Sequence, residues 1–339
     1  AVQVHRPGSS PIIACAGLKD VAAHLQVTLD DTFPIGSCTK MFTAIAILQL
    51  AEKGLLSLKD SVTKYIPVKT VSDLTKGHAS ELLVENLLNH TSGMGDYLNI
   101  KRNPFEVYGT KRSNILYTPS QLFKFTKDFN TVPAFTLSSL GLNSYSDVKS
   151  PSYSSTGYIM LGCIIEQVSS MSWDAYIKTH IFDIAGMTQS GFLTHQPASV
   201  QGYAHGMVKG PVTLPRGLGW SAGDIYSTVS DATLFARAAM EGRFFSCAET
   251  TEMWLRSGYN ELTPGREYGY GIYTESGLYG HDGRAWGTQA AIAFDRETEF
   301  TYVWFQNSES ARNPFKILPQ VKRICEDPSC RAHAETEIF

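Results

Sequence analysis

Ser37 and Lys40 lie three residues apart in FPIGSCTKMFTAIAILQLAEKGLL, where an apolar run begins. A serine at a helix start exposes its hydroxyl and leaves its backbone N–H among the donors without an intrahelical partner. A lysine one turn further on falls on the same face and can reach that hydroxyl. The helix dipole is positive at that end, so a first-turn lysine is slightly unfavourable there. Held beside a cleft as well, it is expected to have a lowered pKa. Its neutral amine can take a proton, as an activated serine nucleophile requires. The same spacing also describes a capping serine beside a solvated lysine, so the pair alone decides nothing.

Two further stretches join it. In SPSYSSTGYIMLG, Tyr153 stands just ahead of a helix, where a phenol beside a lysine can relay a proton. In GLYGHDGRAWGTQAA, a strand carries His281 and Gly283, flanked by Gly280 and Gly287. Gly283 has no side chain, which leaves room for a substrate at the strand edge. The N–H of Arg284 can share an oxyanion with the N–H of Ser37. Taken singly, these stretches also read as a tyrosine packed before a helix and a glycine-rich hairpin with an exposed histidine.

The elements that must hold these residues follow from periodicity. Short strands fill residues 10–35, and TFPIGS leads into a helix over about 37–53. Its apolar positions 41, 42, 45, 48 and 50 lie mostly on one side, and Gly54 is placed to end it. From about 70 to 200 the pattern is helical, in ASELLVENLLNHTSG, SQLFKFTKDF, STGYIMLGCIIEQVSS and WDAYIKTHIFDIAGM. One more amphipathic helix lies in SAGDIYSTVSDATLFARAAMEG. The aromatic-rich strands YGYGIYT, GLYGHDGR, TQAAIAFDRE and FTYVWFQNS follow it, then a helix at about 312–325. Strands at both ends with helices between them predict an α/β lobe made from the two termini, a middle helical lobe, and a site in the crevice.

Composition bounds the function. The 339 residues are 43% hydrophobic and 18% charged, enough for a large core and two lobes. A net charge of -3 argues against nucleic acid as a partner. No apolar run reaches the roughly 18 residues of a membrane span. The chain begins Ala-Val-Gln, without Met or a signal-peptide pattern, as a trimmed start would. Among six cysteines, CEDPSC is compatible with a Cys325–Cys330 disulfide; Cys15, Cys38, Cys163 and Cys247 are expected to be buried thiols. No CxxC, His/Cys or HExxH spacing points to a metal, and no cofactor is expected.

In order and spacing, FPIGSCTK, YSS and HDG resemble the three signature elements of the serine β-lactamase and penicillin-binding-protein superfamily. The branch most similar is that of class C β-lactamases, D-Ala-D-Ala carboxypeptidases, D-aminopeptidases and related esterases. LLNHTSGMGDY, STGYIMLGCIIEQVS and SAGDIYSTVSD resemble family phrases as well, so the likeness covers most of residues 30–310.

The resemblance implies an α+β fold. An antiparallel sheet flanked by helices is built from both termini (1–68 and 205–339), with an all-helical lobe inserted at 69–204. It implies a serine hydrolase acting through an acyl-enzyme on amides or esters of the D-amino-acid peptide, ester or β-lactam type. Ser37 is then the nucleophile, Lys40 and Tyr153 together its proton-handling pair, and the N–H groups of Ser37 and Arg284 the oxyanion hole. The partner is a small-molecule or peptide substrate, and the location is periplasmic or secreted.

Two positions depart from the family pattern. Ser155 stands where an asparagine usually holds the substrate amide, and His281 and Asp282 replace Lys and Thr at the strand. A histidine anchors a carboxylate less well than a permanent ammonium. Both departures favour a peptidase or esterase over a β-lactamase. The alternatives are a penicillin-recognising sensor that acylates without turnover, and an acyltransferase. Cys38 is read as packing, His90 as a loop brace, and Trp220 and Trp286 as either cleft or core.

Overall fold

A computed structural model describes residues 1–75, 79–98, 116–128, 138–142, 147–148, 151–204, 210–256, 258–309 and 313–326. Eight strands form one antiparallel sheet, in the order 260–263, 266–268, 273–275, 278–285, 288–294, 301–306, 2–5 and 12–14. Five successive hairpins therefore run across the sheet, and the amino-terminal strand closes on the last of them. Val2 faces Trp304, His5 faces Thr301, and the terminal ammonium donates to Phe305 O at 2.8 Å.

Alternation along Thr288–Phe294 builds two cores. Ala290, Ile292 and Phe294 join the large core with the helix Thr39–Glu52, while Ala291 and Ala293 pack on Phe315 and Leu318. Successive side chains of a strand point to opposite faces, and here both faces are covered, so the strand is apolar from Ala290 to Phe294.

The helix Thr39–Glu52 differs from its sequence-based reading. Rather than one apolar side, every residue from Thr39 to Leu50 is buried. A helix apolar all round belongs in the middle of a large core, and this one lies between the sheet and the helices Ser155–Ser169 and Trp220–Gly223. Phe42 stacks on Phe235 with centroids 3.9 Å apart and meets Phe182 edge-on. Thr43 donates to Ser221 O at 2.7 Å and accepts from Trp173 Nε1, and Gln49 donates to Phe244 O at 2.8 Å, while its buried Oε1 has no partner among the described residues.

Other elements match their sequence signals with local changes. The helix over ELLVENLLN shortens to Val84–Leu88, and WDAYIKTHIFDIA widens into a π turn at Lys178–Phe182. Short strands at Gly191–Phe192 and Gly202–Ala204 end the span 69–204. The first of them pairs with Ile225–Ser227, which pairs in turn with Phe33–Pro34 and so anchors the lead-in to Ser37. Ile35 N–H donates to Ile225 O at 3.0 Å and Thr288 Oγ1 to Pro34 O at 3.1 Å.

Of the thiols expected to be buried, Cys38 is, Cys163 is half-buried, and Cys15 and Cys247 are exposed. Cys15 directly follows the edge strand Ile12–Ala14, whose residues are all exposed, so its apolar context in the chain does not become burial. Cys330, and with it the Cys325–Cys330 pairing, lies outside the described residues.

Candidate active site

Ser37 occupies a 3₁₀ turn, Gly36–Cys38, immediately before the helix Thr39–Glu52. The helix cap is Cys38 and makes no side-chain capping bond, so Ser37 is not spent as a cap. Its Oγ lies 2.9 Å from Lys40 Nζ. Lys40 is fully buried and donates to Ala222 O at 3.0 Å. Burial lowers its pKa from 10.5 to about 7, opposed by the nearby charge of Asp96. A neutral amine keeps one N–H on Ala222 O, which can only accept, and turns its lone pair to the Ser37 hydroxyl. The lysine head also lies 4.9 Å from the Tyr153 ring centroid and 5.5 Å from that of Tyr158.

Tyr153 completes the contact. Burial, only partly offset by the neighbouring Ser37 hydroxyl, drives its pKa well above the ordinary phenol value. The pKa values of Lys40 and Tyr153 are thus pushed in opposite directions. Near neutral pH the lysine can lose its proton while the phenol keeps its own, and this separates an acceptor from a donor.

The strand Leu278–Ala285 overhangs its short neighbour Tyr273–Glu275, which pairs only as far as Gly280. The free edge meets the turn that carries Ser37. A Cβ added to Gly283 would fall 1.8 Å from Ile35 O and 3.1 Å from Ser37 N, and one on Gly36 would fall 2.8 Å from Arg284 N. The backbones of Ser37 and Arg284 therefore share one small space, as an oxyanion pair requires. The reason for Gly283 differs from its sequence-based reading: the gap it leaves is filled by the Ile35 carbonyl, not reserved for substrate. Gly283→Ala is expected to cost about 2–4 kcal/mol, because rigid backbone must move apart. Thermal or urea unfolding checks this, and an unchanged melting temperature would refute the tight contact.

Two expected substrate contacts turn out to be covered. His281 is fully buried; its Nδ1 donates to the Asp282 carbonyl, and its Nε2 accepts from the Tyr268 hydroxyl at 3.1 Å. Burial lowers its pKa to about 3, so it is neutral, with both ring nitrogens spent on the protein. The exposed histidine of the bland hairpin reading is absent too. Ser155, in the first turn of Ser155–Ser169, is also buried, and its Oγ has no hydrogen-bond partner among the described residues. Asp282 turns away from Ser37 to hold Arg266 Nη1 at 2.9 Å and Asn313 Nδ2 at 2.5 Å. The residue Arg284 is exposed. Cys38 is packing: burial raises its thiol pKa well above the usual value, and its Sγ lies 3.2 Å from His281 O.

The cleft over Ser37 holds about 50 Å³ and is walled by Tyr97, Leu98, Leu214, Leu218, Ala222 and Trp286. Trp286 is a cleft residue, whereas Trp220 packs on Trp173. Sequence reasoning missed Ala222 O, Asp96, Tyr268 and the ring contact of His90 on Tyr153, 4.2 Å between centroids. The aromatic richness of YGYGIYT was the only signal for Tyr268, and it did not distinguish core from site.

The beta-lactamase family model matches residues 2–323. The putative penicillin-binding protein PbpX of Bacillus subtilis is 28% identical over 304 residues, covering 87% of this chain and 66% of that protein. Penicillin-binding protein 4* of the same organism is 29% identical over 195 residues, 57% of this chain and 38% of that protein. The chain thus spans two thirds or less of these relatives' lengths. Among solved structures, a penicillin binding protein from Bacillus halodurans superposes with a TM-score of 0.78 at 22% identity, covering 95% of this chain and 94% of the other. The D-amino acid amidase of Ochrobactrum anthropi SV3 gives 0.77 at 24%, covering 96% and 92%. At these identities the likeness to the two structures is one of fold.

Proposed function

The chain belongs to the beta-lactamase family, and from that premise we propose that it is a serine hydrolase working through an acyl-enzyme on amides or esters of D-amino acids. The observation that carries this reading is the 2.9 Å contact of Ser37 Oγ with the buried Lys40 amine, which lies 4.9 Å from the Tyr153 ring centroid.

In the proposed reaction neutral Lys40 takes the proton of Ser37 as Oγ bonds to the substrate carbonyl carbon. The carbonyl π pair moves to oxygen, where the N–H groups of Ser37 and Arg284 receive the charge. Collapse of this intermediate breaks the bond to the leaving nitrogen or oxygen, which keeps the electron pair and takes the Tyr153 proton. The proton on Lys40 then returns to the Tyr153 phenolate, whose ring centroid lies 4.9 Å from Nζ, and restores the phenol. Water then attacks the ester of Ser37 by the reverse relay and releases the acid.

What the site lacks bears on substrate preference. Ser155 and His281 are buried, and His281 is uncharged, so neither offers the amide or cation that would hold a β-lactam. That supports amidase, peptidase or esterase chemistry over lactamase chemistry, as does the fold likeness to a D-amino acid amidase. Likeness to bacterial penicillin-binding proteins supports action outside the cytoplasm. No helix among the described residues is long and apolar enough to cross a membrane.

The test is intact mass after exposure to a fluorophosphonate, a β-lactam and a D-amino-acid ester, with sustained release of product from the ester followed in parallel. One adduct per chain on the fluorophosphonate and continuous turnover of the ester are expected. A long-lived single adduct without turnover would establish the sensor reading instead. Ester product on an added alcohol in place of water would mark an acyltransferase. Absence of any adduct would refute the nucleophile.

A further inference from the structure

We propose that His90 is the positioning residue of Tyr153: it clamps the main chain on both sides of the tyrosine, backs its ring, and so sets where the phenolic proton is delivered. The inference rests on the role of Tyr153 proposed above. The two lie 63 positions apart in sequence, yet His90 makes three contacts with Tyr153 and its two chain neighbours. The Ser152 N–H donates to His90 O at 2.8 Å, the Ser154 N–H donates to His90 Nδ1 at 3.2 Å, and the ring centroids lie 4.2 Å apart. The residues before and after Tyr153 are thus both bonded to His90. Its ring also meets Tyr268 at 4.4 Å and Tyr158 at 5.2 Å, the residues that respectively hold His281 and overlie Lys40.

Two costs mark this as more than a loop brace. The backbone of His90 has φ +61, a left-handed conformation that non-glycine residues adopt only when their surroundings enforce it. Its neighbours do so: Thr91 N–H donates to Asn86 O at 3.0 Å, and Thr91 Oγ1 donates to Asn89 Oδ1 at 2.7 Å and accepts from Asn86 Nδ2 at 2.9 Å. The second cost lies in the ring. Nδ1 accepts from Ser154, so the proton of the neutral imidazole is on Nε2, and among the described residues that buried atom has no hydrogen-bond partner. An unsatisfied buried donor is unfavourable. Burial and the nearby Lys40 keep the ring uncharged, which preserves the Nδ1 lone pair for Ser154. Strain and an orphan donor persist together where they hold a reacting group in place.

The experiment compares two substrates with one acyl group, a p-nitrophenyl ester and the corresponding primary amide. Only the amide nitrogen needs a proton to leave. His90→Asn tolerates the left-handed backbone and offers Oδ1 to Ser154, but lacks the ring. The expected result is a loss of kcat/KM of about 10–100-fold on the amide and several-fold less on the activated ester, since positioning a general acid is worth part of its usual 10²–10⁴. In a Tyr153→Phe background the same change should cost nothing further, because the group being positioned is gone. Equal losses on both substrates, or full additivity with Tyr153→Phe, would overturn the proposal and leave His90 a fold residue. Melting temperatures are read alongside; if His90→Asn does not fold, His90→Gln decides by the same ratio. Fluorophosphonate labelling of the wild type at Ser37 reports separately on the parent reading, so failure of one is distinguishable from failure of the other.

Discussion

Ser37→Ala is expected to lower kcat/KM by about 10⁴-fold or more and to remove every covalent adduct, as loss of a serine nucleophile does in enzymes whose catalytic groups act as a unit. The magnitude follows from the role: Ser37 carries the hydroxyl that the buried Lys40 amine reaches, at 2.9 Å. Folding should be little affected. Lys40 keeps its bond to Ala222 O, the helix loses no cap, and the turn is built by Gly36 and the Ile35 carbonyl, not by the serine side chain. Intact mass, initial rates and a melting curve on the same preparation decide the matter. Retention of activity within tenfold of wild type would remove Ser37 from the mechanism.

Lys40→Met should separate activity from stability. Removal of the proton acceptor is expected to cost about 10²–10⁴ in kcat/KM. Methionine fills similar volume without placing an amine in the core, so the melting temperature should hold or rise, as when a strained functional group is replaced by an apolar one. In the wild type the sign with pH is fixed by the lowered lysine pKa, from 10.5 to about 7. Below pH 7 Lys40 is protonated and cannot accept from Ser37, so kcat/KM should fall on the acid side with an apparent pKa near that value. Stability moves the same way through this group. Between about 7 and 10.5 the unfolded chain binds the proton that the folded chain has lost, so stability rises with pH across that window. A profile of kcat/KM flat from acid to alkaline pH would argue against lysine as the acceptor.

What was legible in the sequence was short-range or pattern-borne. Ser37 and Lys40 share a face because one helical turn separates them. The strand texture of residues 273–306 and the helical texture of 155–169 gave the right elements because period-2 and period-3.6 patterns are local. Less legible were features whose partners lie far along the chain. Helix Thr39–Glu52 read as one-sided, yet it is buried all round because the sheet and two distant helices meet on it.

Chain order and residue type were thus enough to single out Ser37, Lys40 and Tyr153 as candidates and to indicate the mixed fold. Folding alone decided that Lys40 is dry enough to lose its proton, that His281 and Ser155 are covered, and that Gly283 makes way for a carbonyl. It also set His90 beneath Tyr153. A pKa, an exposure and a clash are sums over atoms brought together from remote segments, and no local pattern of residues carries those sums.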